Sequence, residues 1–430
     1  MKVNVKENQT MSQAAALKAE SIEIPLPTVQ DEPDLSGSKR YVVEGLLFCL
    51  YLVFGISWLA YAPLMPELTA HYGFDKADGG LLISLVSMAK AFVPLFAGAM
   101  AARFGLHRAL LVGASFSALA VFLPFLPSLN TLLAGRFLFG IGGAIIVTLM
   151  GPLVMTWFQR HELPMVTGLN NVAVNTGITV ALFITIPTAQ KIGWQNALVA
   201  FGALSAVLAV LWAMFGAEGP VKREVKGAVE GEKPSIFEML ARPETYWLGL
   251  AFTGPLSLYL ALNSFLPSHY QLAFGLERAA ASQMTGLFNA VGIPMAVVGG
   301  YLCSKLGKRR PLIIVAGILM PISSYFLVTS PVHAVRVTGA VVLGASLFLY
   351  VAPLFTIPME LPNIDAPRVA LMMGCVFSLA YIISTISPWL TGYLFDQYGS
   401  YAMGLKLFCA TSSLLAIGGF MLPETGQGRA

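Results

Sequence analysis

The sequence predicts an all-α membrane protein of twelve transmembrane helices in two pseudo-symmetric six-helix bundles, and three observations predict it. Of 430 residues, 56% are hydrophobic and only 11% charged, against roughly 25% charged in ordinary soluble domains. Apolar stretches of about twenty residues, the length that crosses a hydrocarbon core about 30 Å thick, recur along the whole chain. The stretch from Gly73 to Arg108 also occurs twice. Gly73-Phe74-Asp75-Lys76-Ala77, a long apolar segment and Gly98 to Arg108 return 202 positions later as Gly275-Leu276-Glu277-Arg278-Ala279, another apolar segment, Gly300, and Gly307-Lys308-Arg309-Arg310. An internal repeat of half the chain length follows.

In chain order, residues 1–40 hold Glu20, Glu23, Asp31, Glu32 and Asp34 with three prolines and no apolar run, so they read as a flexible cytoplasmic tail and not a signal peptide. Spans are expected at 42–65, 78–101, 108–127, 130–156, 164–187 and 195–216, then at 244–267, 278–301, 311–329, 333–357, 367–392 and 400–421. At this length only helices satisfy every backbone polar group within the bilayer. The first six form an N-terminal bundle (41–216) and the last six a C-terminal bundle (244–421). Between them, 217–243 is a polar linker carrying Lys222, Arg223, Lys226, Glu230 and Lys233, and 422–430 is a second cytoplasmic tail. With both termini cytoplasmic, inner loops hold thirteen Lys and Arg against four (Lys76, Lys191, Arg278, Arg336) outside, which sets the orientation.

Other classes are excluded by what these residues are. The net charge of +4 is scattered, leaving no block for nucleic acid. Cys49, Cys303, Cys375 and Cys409 fall in or beside apolar runs without CxxC spacing, and the five histidines sit in or near loops without metal-ligand spacing. The glycine-rich 140–143 segment lacks the Lys-Ser/Thr of a nucleotide loop. No metal, cofactor or catalytic site is expected, and the chain reads as a non-enzyme.

The repeat extends to Gly143-Ala144 and Pro152-Leu153 against Gly344-Ala345 and Pro353-Leu354, and to Gly168 and Gly193 against Gly374 and Gly399. Two parallel halves related by an axis along the membrane normal result. On these residues the chain resembles the major facilitator superfamily. That family's loop after the second helix, Gly-x-x-x-Asp-Arg-x-Gly-Arg-Arg/Lys, is matched by Gly98, Arg103, Gly105 and Arg108, with Ala102 at the acidic position. The second copy keeps Gly300, Lys305, Gly307, Lys308 and Arg309, with Ser304 at that position. The fourth-helix pattern Arg-x-x-x-Gly-x-Gly is met by Arg136, Gly140 and Gly142. Trp157-Phe158, Gly193-Trp194 and Met359-Glu360-Leu361-Pro362 look most like the cyanate and nitroimidazole permease branch. The resemblance implies a rocker-switch secondary transporter of the bacterial inner membrane, acting as a monomer on a small solute. It assigns gating and coupling to the two basic loops and to Arg136.

A charge at mid-membrane costs about 2.5 to 3.5 kcal/mol on insertion scales, so each needs a reason. Lys90 lies about eleven residues, or about 16 Å, from the inner end of its span, too far to reach the interface. It is either a cation facing a cavity for an anionic substrate or a structural lysine bonded to carbonyls or a hydroxyl. Lys406 is shallow enough to snorkel. Asn171 and Asn175 share a helix face and suit a carboxylate or carbonyl, or else bind another helix. Tyr51, Phe54, Trp58 and Tyr61 form an aromatic stripe that reads as packing. From it Tyr61, with its repeat partner Asn263 and with Tyr259, is carried forward as a binding residue, since the first and seventh helices line the pathway in the family; Asn289, Tyr350 and Tyr381 are further candidates. Glu44 and Glu360, at inner span ends, are the candidates for coupling to a proton. An exporter of amphipathic compounds, or a sensor that lost transport, is the alternative. The repeat partner of Lys90 is Gly292. Nitrate porters of the family carry a cation on both the second and eighth helices, so the one-sided lysine points to an anion other than nitrate.

Overall fold

The computed structural model describes residues 38–158, 162–220, 236–362 and 366–426. Residues 1–37 of the expected N-terminal tail lie outside the described residues, as do most linker charges, and its last two residues, Lys39 and Arg40, open the first helix. Among the described residues, eleven helices are long and apolar enough to cross a membrane, and a shorter apolar one makes twelve. In chain order they are α1 (Lys39–Leu59), α2 (Lys76–Phe104), α3 (Leu106–Val121), α4 (Leu129–Trp157), α5 (Leu163–Ile192) and α6 (Trp194–Phe215). The second half comprises α7 (Pro243–Phe274), α8 (Arg278–Leu306), α9 (Arg310–Thr329), α10 (His333–Glu360), α11 (Ala366–Ser384 and Ile386–Tyr398) and α12 (Ala402–Met421). An even number of crossings puts both ends of 39–421 on one face, called here the terminal face; the other is the far face.

The repeat has a backbone cause. Among the described residues, the six glycines with positive φ fall into three pairs at repeat spacing: Gly73 and Gly275 (67° and 64°), Gly105 and Gly307 (85° and 62°), and Gly193 and Gly399 (86° and 67°). Each ends a helix in a conformation that L side chains avoid. Gly73 and Gly275 are each followed by an acidic N-cap. Asp75 accepts from the Asp78 N–H, and Glu277 accepts from the Ala279 and Ala280 N–H groups.

Two expected boundaries move. The first span ends at Leu59 rather than 65, and a short helix, Met65–Tyr72, follows a turn containing Pro63. The third span is expected to reach 127, but α3 loses α-helical form after Ala118 and continues as 3-10 turns to Phe125, with Pro124 in the last.

The 422–430 and 217–243 stretches are not wholly tails or linkers. Glu424 accepts from the Arg309 and Arg310 N–H groups at the start of α9 (2.7 and 3.1 Å). Glu218 accepts from the His107 N–H at the start of α3 (3.0 Å). The carboxylate after the last helix of each half therefore caps the third helix of that half, where the helix dipole favours a negative charge. Both basic loops lack the family's usual acid, and these two glutamates supply one from elsewhere in the chain.

Glycines set the tightest contacts. A Cβ on Gly140 would lie 2.8 Å from Val86 Cα, so α4 can press against α2. The halves meet where α2 runs along α11 and α5 along α8. Hydrogen bonds join them from mid-membrane to the far face. Asp396 accepts from the Lys76 and Ala77 N–H groups (3.1 and 2.9 Å), and Ser84 Oγ donates to the Thr385 carbonyl (2.6 Å). Ser378 Oγ donates to the Ala91 carbonyl (2.8 Å), and Ser282 Oγ to the Leu182 carbonyl. Arg278 donates to the Glu67 carboxylate at 2.6 Å and to the Pro63 carbonyl at 3.3 Å. A Cβ on Gly80 would lie 2.5 Å from the Pro388 carbonyl oxygen, and one on Gly392 would overlap the Lys76 carbonyl oxygen. The far face is sealed by backbone contact.

Candidate functional site

The α2 helix carries Lys90 to mid-membrane between both halves, where it is only 5% exposed. It lines a central cavity of about 160 Å³ with Tyr51 and Trp58 of α1 and Val174, Asn175 and Ile178 of α5. The second half contributes Phe252, Pro255, Leu256 and Tyr259 of α7, Leu347, Phe348, Tyr350 and Val351 of α10, and Tyr381 of α11. Two larger apolar grooves, one between α9 and α10 and one between α9 and α12, hold no candidate binding residue of the sequence.

Nζ of Lys90 donates to the Tyr51 hydroxyl at 3.3 Å. It also stands 4.4 Å from the Trp58 ring centroid, 5.5 Å from Phe54, 5.6 Å from Tyr51 and 5.9 Å from Tyr381. Each cation–π contact contributes about 0.5 to 2 kcal/mol, more as water is excluded. The cage thus offsets part of the cost of the buried charge without neutralising it. Among the described residues no carboxylate and no histidine lines the cavity. Tyr259 donates to Asn175 Oδ1 at 2.9 Å, joining the halves at the cavity wall.

The site is one-sided for a steric reason. At Gly292, the repeat partner of Lys90, a Cβ would overlap the ring of Phe348. The place a second cation would take is filled by an aromatic side chain from α10.

Of the expected binding residues, Lys90, Asn175 and Tyr259 come together at the cavity. The side chain of Asn171 lies outside what is described, as do the surroundings of Gly98. Tyr61 and Asn263 do not line it. Tyr61 falls in the turn beyond α1, its ring 4.2 Å from the Arg136 guanidinium carbon. Asn263 donates to the Tyr259 carbonyl (2.8 Å) and accepts from Asn289 Nδ2 (2.8 Å) within the second half. Tyr51 and Trp58, read as packing, face the cavity, as do the further candidates Tyr350 and Tyr381. A seven-residue spacing was their signal: Tyr51 with Trp58, and Phe252 with Tyr259, each mark one face of a helix.

Arg136 is fully buried and acts on main chain. Its Nε donates to the Leu82 carbonyl (2.9 Å), Nη1 to Ser57 (3.1 Å) and Nη2 to Trp58 (2.8 Å). Because α1 stops at Leu59, the Ser57 and Trp58 carbonyls lack the partners a longer helix would supply. A guanidinium fork from α4 takes them.

The gating candidates separate likewise. Arg309 forms a two-pronged ion pair with Glu360 (Nη2 to Oε1 2.7 Å, Nε to Oε2 3.2 Å), which holds its guanidinium above the ordinary value, and Thr425 donates to the same carboxylate at 2.7 Å. Arg103 and Lys305 lie near their neighbours Phe104 and Tyr301 (5.4 and 5.8 Å), and Arg108 is exposed. A Cβ at Gly105 would meet Glu218, whereas Gly300 has open space beside it. Glu44 is buried near the start of α1, beside the buried side chain of Asn170. Lys406 is exposed, as snorkelling requires.

Twelve helices in two repeated halves around a mid-membrane cavity define a multi-pass membrane transporter. The Major Facilitator Superfamily model matches residues 47–370, and the chain belongs to that family. It is similar to the nitrite extrusion protein of Bacillus subtilis, 25% identical over 388 residues that cover 89% of this chain and 94% of that one. It is also similar to the 2-nitroimidazole transporter of Escherichia coli, 23% identical over 389 residues, 90% and 96% of the two chains. Among solved structures it shares its fold with a bacterial homologue of the human lysosomal transporter Spinster in an inward-facing, unoccupied conformation. The TM-score is 0.74 at 17% identity, over 90% of this chain and 96% of that one. The chain is a small-solute transporter and not an enzyme.

Proposed function

We propose that this transporter carries a small monovalent anion, bound at mid-membrane against Lys90, by alternating access between the halves 41–216 and 244–421 joined through 217–243. The carrying observation is a buried cation in a cavity with no opposing carboxylate among the described residues. A bound anion supplies the missing counter-charge, and one cation matches one negative charge. The similarity to a nitrite extrusion protein supports the same class. A cavity of about 160 Å³ suits a solute of a few heavy atoms, being smaller than the roughly 300 to 1,000 Å³ of drug-sized sites. The aromatic lining favours a second reading, a small planar compound such as the 2-nitroimidazole carried by another relative.

The reading includes a proton as coupling ion, a monomeric carrier, and an inner-membrane location with the terminal face cytoplasmic, as the Lys and Arg bias of the loops supports. The sealed far face is then the outer one, and the described conformation faces inward.

Melting of the purified protein across nitrite, cyanate, formate and neutral nitroimidazole tests the substrate class, because a specific binder raises apparent stability by mass action. Lys90→Ala is expected to weaken anion binding about 10- to 150-fold, from roughly 1.5 to 3 kcal/mol for a charge-assisted contact. Anion uptake and affinity at the wild-type level in Lys90→Ala, normalised to membrane expression, would refute the anion site.

A further inference from the structure

We propose that Lys90 carries the coupling proton as well as anchoring the anion, so that one proton and one monovalent anion cross together as a neutral pair. This rests on the anion reading above and adds which group holds the proton. The groups facing the cavity settle the choice. Beside Lys90 stand Tyr51 on α1, Tyr259 on α7, Tyr350 on α10 and Tyr381 on α11, and a tyrosine could release a proton only by leaving a buried phenolate, whereas the amine becomes neutral when it does so. Helix α4 brings Arg136, which is committed to three carbonyls. Helix α3 brings His107 and Arg108 at the terminal face, the short helix brings Glu67, His71 and Tyr72 at the far face, and the other charges of α2, α7 and α11 lie toward their ends. On α1, Glu44 is seven residues from Tyr51, about 10 Å along the axis toward the terminal face. Lys90 is left as the group in the cavity able to gain and lose a proton.

The occupied and empty states differ in just this respect. With an anion bound, ammonium and anion cancel, and the halves can close over them. Without one, the ammonium has only the Tyr51 hydroxyl and the faces of aromatic rings, and a buried charge lacking a counter-ion is the costly form of the amine. The empty carrier therefore turns around with Lys90 neutral. As the anion leaves, one N–H bond at Nζ breaks and its proton passes to water on the same face. At the opposite face one proton and one anion are taken up again, so charge balances over the cycle.

The test uses the full chain in liposomes with an entrapped pH-sensitive dye, an inward gradient of nitrite, cyanate or formate, and the leak of protein-free vesicles subtracted. One proton is expected to enter with each anion, at a rate indifferent to a potential imposed with valinomycin. Anion entry that follows the imposed potential without acidifying the lumen overturns the proposal. In Lys90→Arg, which keeps a fixed charge, the protons entering per anion carried are expected to fall to the protein-free level, whatever anion rate the variant retains. A dye response retained in Lys90→Arg but lost in Glu44→Gln moves the proton to Glu44, overturning this proposal and leaving the anion reading intact. Wild-type protein that carries none of the three anions overturns both.

Discussion

Replacing Arg136 by leucine removes three donors from a fully buried position and leaves the carbonyls of Leu82, Ser57 and Trp58 without them. Hydrogen bonds between transmembrane helices average about 0.6 kcal/mol, which puts the loss near 2 kcal/mol at the low end. Hydrogen bonds to a charged group contribute about 1.5 kcal/mol or more each, which for three puts the high end near 5 kcal/mol. The expected destabilisation is therefore about 2 to 5 kcal/mol. Arg136→Lys should recover only part, because one ammonium cannot reach carbonyls on both α1 and α2 as the Nε, Nη1 and Nη2 fork does. Thermal unfolding in detergent, followed by helical circular dichroism, measures both variants against wild type. An Arg136→Leu midpoint equal to wild type would refute the reasoning. A lysine variant as stable as wild type would show that charge alone, and not the fork, serves α1.

Two further perturbations address the closed face and the helix starts. In Gly392→Leu the new Cβ overlaps the Lys76 carbonyl oxygen, and overpacking of about 1 to 3 kcal/mol should shift the population toward an open far face about 5- to 150-fold. Labelling of a Ser84→Cys probe by an impermeant maleimide, with the native cysteines replaced, should rise accordingly; unchanged labelling would mean that this contact does not hold the face shut. Glu218→Ala and Glu424→Ala each remove an acidic cap and should cost about 1 kcal/mol. Glu424→Ala should cost more, since Glu424 accepts two N–H groups at α9 and Glu218 one at α3. Equal melting of both variants with wild type would discount the caps.

The readable part of this molecule was local. Lys90 stood out because depth along a span is counted in residues and the cost of a charge depends on depth. The pairs Gly73 and Gly275, Gly105 and Gly307, and Gly193 and Gly399 stood out because a positive φ requires the same residue type in both halves. The lateral assignments were harder. Tyr61 was paired with Asn263 by repeat spacing, but α1 stops two residues before Tyr61 and turns it toward Arg136, while Asn263 is taken up by Asn289. Tyr51 and Trp58 looked like packing because an aromatic stripe is the same whether it faces a neighbouring helix, lipid or a cavity.

By itself, then, the sequence determined that the chain crosses a membrane in twelve helices, that the two halves are copies, and that one lysine lies deep in the bilayer without its repeat partner. Tertiary structure alone decided what surrounds that lysine: an aromatic cage drawn from α1 and α11, and the ring of Phe348 where Gly292 leaves room. In water the apolar face of a helix points to the core and periodicity reveals it. In a bilayer lipid is as apolar as the interior, so hydropathy registers that a helix is buried without telling which side meets the site.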